Sequence, residues 1–397
     1  MQNVNSSMKV KPAERTESVR EYYFSQKLRQ IDQMRKDGAD IINLGIGSPD
    51  QPPSSQTIDK LASAAHKPDA HGYQSYAGIP ALRRAFAGWY ARYFKVNLDP
   101  EKEILPLMGS KEGIMHISMA FVNPGDEVLV PDPGYPTYSS VTRLTGGSIR
   151  YYELEEGKGW LPDIDKIKDS GVEKVKMMWI NYPHMPTGAR ANRKIFDDLV
   201  RFANDNSILL CNDNPYSFIL NNEYLSILSA DGAMETAIEL NSLSKSHNMA
   251  GWRIGMVAGH SEYITSILKV KSNMDSGMFR ALQEAAVEAL ESPAGWYEQV
   301  NAIYSRRRRI VEEIMTLLDC SFDRSQTGLF VWGRIPAKKE DSEKFVDDIL
   351  TGTHVFLTPG FIFGNRGDRY IRISLCADEP TLEKAKARIK EFLQQTK

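Results

Sequence analysis

The chain has 397 residues, long enough for two domains and a large buried core. Its 49 Lys and Arg against 51 Asp and Glu leave a net charge of -2, which argues against nucleic acid or an anionic membrane as partner. The three scattered cysteines imply no disulfide framework, and no stretch has the length of a signal core or a bilayer span, so the expectation is a cytoplasmic protein.

Residues 1–18 are polar and read as a flexible arm. From Arg20 the spacing of Phe24, Leu28 and Ile31 predicts a helix, with Gly38 as its stop. Ile41 to Leu44 reads as a short strand, and the Gly45-Ile46-Gly47 turn after it lets the backbone approach a ligand. The stretch from Tyr73 to Pro80 leads into a helix whose Leu82, Phe86, Trp89 and Tyr93 share one face, a stripe read as core. Met108-Gly109-Ser110-Lys111 opens an apolar helix. Its first N–H groups suit an anion, or Ser110 is an ordinary N-cap.

Glu127 to Val130 predicts a strand ending in a proline-rich turn that fixes Tyr135, as a platform for a ring requires. Further strands are expected over 149–154, 176–180 and 208–211. Each apolar run is short, unalternated and separated from the next by helical pattern, as in parallel strands covered on both faces. Tyr135, Pro186, Asp213, Tyr216 and Lys245 all fall just past such runs, and in open α/β sheets that is where ligands bind.

Lys245 follows the run Ala237 to Leu240 and lies among Ser242, Ser244 and Ser246, with Arg253 downstream. It is either a surface lysine in a serine-rich loop or an amine held for Schiff-base chemistry. Hydroxyls with an arginine suit a phosphate. An amine that takes an aldehyde beside a phosphate cradle suggests pyridoxal 5'-phosphate (PLP). Another strand is expected over 254–259. Arg306 to Arg309, with Glu312 and Glu313 at i+4, reads as a solvated helix face. Strands over 329–332, 355–357 and 370–375 and a closing helix over 381–393 complete the chain. On the 370–375 strand Arg372 points away from Ile371, Ile373 and Leu375, onto the polar face of a half-buried strand, as a salt-bridge partner or as a carboxylate clamp; spacing alone favours the salt bridge.

Ser242-Leu-Ser-Lys245, Asn248 to Arg253, Pro186-Thr-Gly188, Asp213-Asn-Pro-Tyr216 and Tyr370-Ile-Arg372 together resemble the class I/II aminotransferases, PLP enzymes of fold type I. The resemblance runs from about Phe24 to the C-terminus, with the motifs in family order. It implies an α/β fold: a large doubly wound domain around a mostly parallel sheet (51–290, binding PLP) and a small α+β domain (19–50 with 291–397). It also implies transfer of an amino group from an L-α-amino acid to a 2-oxo acid by a ping-pong cycle. Lys245 holds PLP and shuttles the proton, Asp213 pairs with the ring nitrogen, Tyr216 donates to the ring 3' oxygen, and Tyr135 stacks on the ring. Ser110, Lys111, Ser242, Ser244 and Arg253 surround the phosphate, and Tyr73 reaches it from the neighbouring subunit of a homodimer. Arg372 and the Gly47 backbone take the substrate α-carboxylate. No metal is expected.

One residue departs from the family. Met185 stands where Asn-Pro-Thr-Gly is usual, and a thioether has no N–H to offer the 3' oxygen. Tyr216 is therefore expected to carry that contact alone, unless His184 or a water backs the replacement. A β-eliminating C–S lyase is the alternative on the same scaffold, and a non-enzymatic PLP-binding regulator fits poorly. The stretch Lys271 to Gly277 is similar to the LL-diaminopimelate and aspartate aminotransferase subgroup. Dicarboxylate specificity in some relatives comes from a second arginine supplied across the dimer; Arg280 or Lys271 could serve here, though surface salt bridges explain them as well.

Overall fold

The computed structural model describes residues 10–19 and 23–395. Residues 1–9 of the expected arm, and Arg20, lie outside the described residues. Among the described residues twelve strands follow in chain order: β1 (Ile42–Asn43), β2 (Ile104–Leu107), β3 (Glu127–Asp132), β4 (Ser148–Glu153), β5 (Val175–Ile180), β6 (Leu209–Asp213), β7 (Ala237–Ser242), β8 (Gly255–Gly259), β9 (Phe330–Arg334), β10 (Val355–Phe356), β11 (Thr358–Pro359) and β12 (Tyr370–Ser374).

The main sheet has seven strands in the order β2-β8-β7-β6-β5-β3-β4. All its pairings are parallel except the two made by β8. Helices cover it, so β6, β7 and β8 are buried from end to end, and β5 all but Lys176. That is why their sequences run apolar without alternation. The strand β2 (Ile-Leu-Pro-Leu) has no counterpart in the sequence reading; its proline is tolerated because β2 is an edge strand.

The chain ends build the smaller sheets. β11-β12-β9 is antiparallel, and β1 lies parallel to β10. The helices Ala294–Leu317 and Glu379–Gln395 pack together beside them.

The aromatic stripe of the helix Pro80–Tyr93 is core, as its spacing predicts. Leu82, Phe86 and Trp89 are fully buried, Tyr93 is half-buried against the core, and Tyr90, outside the predicted stripe, is fully buried too; Trp89 stacks on Phe218 with ring centroids 4.8 Å apart. Two readings need correction. Arg307, in the four-arginine run, faces inward rather than to solvent: it is 2% exposed and grips Asp50 through both terminal nitrogens, at 2.6 and 2.7 Å. β12 is buried on both faces, so Arg372 does not sit on a polar face.

Candidate active site

The register of the main sheet gathers the site. β3, β5, β6 and β7 are parallel, so Tyr135, Asn181, Asp213 and Lys245 leave the sheet at one edge. Because β8 is reversed, its start lies beside the end of β7 (Ser242 opposite Gly255), which puts Arg253 at that same edge. β2 ends opposite Gly255 too, so Ser110 and Lys111 follow there. β12 and the turn after β1 supply Arg372 and Gly47 from the smaller sheets. Together these residues line a cavity of about 600 Å³. Gly47, Ser110, Lys111, Tyr135, Asp213, Tyr216, Ser242, Ser244, Lys245, Arg253 and Arg372 all line it. Tyr73 does not; it is 93% exposed.

Asp213 is 5% exposed, and its Oδ2 accepts from the Tyr138 hydroxyl at 2.9 Å. Its Oδ1 is buried with no hydrogen-bond partner. Burial pushes its carboxyl up to about 7, against which the Tyr138 bond pulls and to which Glu239 adds. A buried oxygen of this kind asks for a donor, best a cationic one. Asn181 holds the strand end in place: its amide N–H donates to the Asp213 carbonyl, and its Oδ1 accepts from the Met185 N–H at 2.8 Å.

Lys245 sits on a single helical turn, Leu243–Ser246, and its Nζ donates to the Gly47 carbonyl. Burial lowers its ammonium below the ordinary lysine range; Cys376 opposes this, and Arg372 and Arg253 reinforce it. An amine loosened from its proton is what carbonyl attack needs.

The Ser242 hydroxyl donates to the Ser244 Oγ at 2.8 Å, and Arg253 Nη1 donates to the Ala250 carbonyl at 2.9 Å and to the Ser244 Oγ at 3.5 Å. The helix Ser110–Phe121 starts at the same place after Gly109, with no side-chain cap on its first turn. Gly109 has φ +87°, and a Cβ there would lie 2.1 Å from Arg253 Nη2. The glycine lets the helix terminus and the guanidinium converge, which makes an anion seat. Ser110 is the first helical residue rather than the N-cap.

Arg372 closes the other end. Its guanidinium carbon lies 3.8 Å from the centroid of Phe330, and its Nη2 donates to the Gly45 carbonyl at 2.8 Å. Its Nη1 points at the Met185 sulfur, 3.3 Å away. His184 does not line the cavity; its Nδ1 is paired with the Thr187 hydroxyl at 2.8 Å. Arg280 and Lys271, the candidate second cations, lie outside the cavity. Arg280 pairs with Asp69 at 2.6 Å and Glu284 at 3.0 Å, and Lys271 with Asp275 at 2.8 Å. Sequence reasoning missed Tyr138 and Asn181. The signal for Tyr138 was present, since it lies one helical turn after Tyr135.

A buried lysine, a buried acid and a helix start beside an arginine gather at the head of a mostly parallel sheet, the architecture of the fold type I aminotransferases. The chain belongs to the aminotransferase class I and II family, whose model matches residues 39–389. It is an aminotransferase, of a family that works with PLP. The LL-diaminopimelate aminotransferase of Moorella thermoacetica is 40% identical over 96% of this chain and 98% of its own length. That of Oleidesulfovibrio alaskensis is 41% identical over 95% and 98%. Substrate-bound BacF from Bacillus subtilis superposes with a TM-score of 0.92 at 34% identity, covering 97% of this chain and 98% of that one.

Proposed function

We propose that the cavity binds PLP through Lys245 and carries out ping-pong transfer of the amino group of an L-α-amino acid to a 2-oxo acid. The observation that carries this is the buried, unpartnered Asp213 Oδ1, which matches the protonated nitrogen of a pyridine ring. The bound cofactor supplies the electron sink. Asp213 keeps the proton on the ring nitrogen, and Tyr135 covers the ring face. Ser110, Lys111, Ser242, Ser244 and Arg253 seat the phosphate. Tyr216 donates to the ring 3' oxygen; burial holds its phenol protonated. Arg372 grips the α-carboxylate, which aims Cα at Lys245, and the lysine amine then moves the proton at Cα.

The protein acts as a homodimer in which exposed Tyr73 completes the partner's phosphate seat. It works in the cytoplasm, in keeping with three free, buried cysteines; no helix among the described residues is long and apolar enough to cross a membrane. The relatives named for LL-diaminopimelate bring forward donors with a charged far end, for which the cavity would have to supply a partner.

Borohydride reduction of the coloured protein, followed by peptide mass spectrometry, tests the core of this reading. Cofactor fixed on Lys245 is expected. Label on another residue, or a chain that never takes up colour, refutes it.

A further inference from the structure

The loop between β11 and β12 belongs to the small sheet by connectivity, yet the end of a main-sheet strand holds it. Asp132 closes β3 and is 7% exposed. Its Oδ1 accepts from the Arg366 N–H at 2.9 Å and its Oδ2 from the Asn365 N–H at 3.2 Å. These two groups open the short turn Asn365–Gly367, which has no side-chain cap of its own. Successive N–H groups facing one way make a concavity for an anion, and a carboxylate fills it with one oxygen for each. Burial raises the Asp132 carboxyl, and the two N–H groups pull the other way. Gly364, at φ +130°, permits the approach, because a Cβ there would collide with Asp132 Oδ1. Beside this contact the Gly134 N–H donates to the Phe363 carbonyl at 2.7 Å.

The joint lies between two parts of the site. Asp132 is three residues before Tyr135, and the loop carries Phe363, whose ring centroid is 4.7 Å from the Arg372 guanidinium carbon. The neck of the loop is pinched, since a Cβ on Gly367 would meet the Gly360 carbonyl and one on Gly360 would meet the Trp332 ring. Trp332 is the partner of Arg372 in the pairing of β9 with β12. The turn therefore moves with β12 as one piece, and Asp132 tethers that piece to the strand that leads to Tyr135.

We infer that Asp132 is a positioning residue that fixes the spacing between Tyr135 and Arg372, and so between the cofactor ring and the α-carboxylate of the substrate. The inference rests on the proposed function, which gives Tyr135 the ring and Arg372 the carboxylate. Asp132 itself does not line the cavity. Asparagine in its place keeps one acceptor oxygen and turns its own N–H against the second backbone N–H, so the turn comes loose on one side. A misplacement of about 1 Å in a group that aims the substrate costs up to about 100-fold in rate. The cofactor's seats stay whole, because Lys245, Asp213 and Arg253 all stand on the main sheet.

The test compares the native, Asp132→Asn and Gly364→Ala holoenzymes, the last displacing the turn from the other side of the same contact. Calorimetric affinity for the unreactive acids succinate and 3-phenylpropanoate is expected to fall about tenfold or more in both variants, and kcat/KM for any accepted donor with it. The dissociation constant for PLP and the absorption spectrum are expected to stay native. Arg366→Ala keeps the backbone N–H, removes only the 2.6 Å ion pair with Glu153 across the same joint, and is expected to behave as native. Native acid affinity in both latch variants overturns the inference and leaves the aminotransferase reading intact. So does loss of PLP in step with the acids, which makes Asp132 a support of the fold alone, or an Arg366→Ala enzyme as impaired as Asp132→Asn. If the native holoenzyme binds neither acid and converts no donor, the proposed function falls as well. Should the variants fail to fold, amide exchange in the native holoenzyme decides. At an acid concentration about 100 times its dissociation constant, exchange at Asn365 and Arg366 is expected to slow about 100-fold, because the acid binds only the latched form. Exchange indifferent to the acid overturns the inference.

Discussion

Replacing Met185 by asparagine gives the sharpest test of how the site is wired. Met185 is 6% exposed, its backbone N–H is fixed to Asn181 Oδ1 at 2.8 Å, and its sulfur lies 3.3 Å from Arg372 Nη1. An asparagine held by the same backbone bond can accept from Arg372 through its carbonyl and donate its N–H toward the 3' oxygen of the cofactor, where methionine donates nothing. A hydrogen bond to a charged group is worth about 1.5–3 kcal/mol. One pKa unit corresponds to about 1.4 kcal/mol, so the lysine–cofactor Schiff base is expected to lose its proton about 1–2 units lower in Met185→Asn. Spectrophotometric pH titration of the two holoenzymes measures this directly. The second arm is Tyr216→Phe in each background. With Met185 it removes the sole donor to that oxygen, whereas with asparagine a donor remains, so the pKa rise is expected to be larger with methionine. A Met185→Asn enzyme that titrates at the same pH as the native one, or higher, refutes the claim that Tyr216 carries the contact alone.

Asp213 makes stability of the cofactor-free chain depend on pH. Its folded pKa is raised from 3.8 to about 7, so the unfolded chain gives up this proton first and stability falls as pH climbs through that window. The full effect is about 4 kcal/mol. Thermal unfolding between about pH 4 and 8 is expected to show the decline in apoprotein and a flatter profile in Asp213→Asn. Mixing Tyr73→Ala and Lys245→Ala chains is expected to restore tight PLP binding and activity in hybrid dimers, because one site then has both residues; absence of rescue argues against a shared phosphate seat. Trp89→Ala removes a fully buried ring and is expected to cost about 3–5 kcal/mol in denaturant melts with an unchanged m-value.

The sequence made the site legible where chemistry follows directly from strand ends. Asp213 and Lys245 each lie just beyond an unalternated apolar run, and parallel pairing brings such points together without further information. Contacts between distant segments were not legible. Tyr138 reaches Asp213 from 75 residues away: its place one helical turn after Tyr135 pointed to the site but not to that partner. Arg307 hid in a run of charge because Asp50, the acid it grips, is 257 residues distant. Arg372 was read as facing a polar surface because strand alternation shows two faces but not whether a neighbouring layer covers both. Pro106 concealed β2, since proline argues against a strand unless the edge position is known.

The reversal of β8 has a mechanical consequence. Leu243 N–H donates to the Ile254 carbonyl at 3.1 Å and Ser242 faces Gly255, so the intervening loop is stapled shut at its base. Amine, hydroxyls and the Arg253 guanidinium therefore ride on one clasp of the larger sheet, while the arginine for the incoming acid hangs from the other. The proposed seats of cofactor and carboxylate thus stand on separate sheets, and a shift of one sheet against the other would change the second without distorting the first.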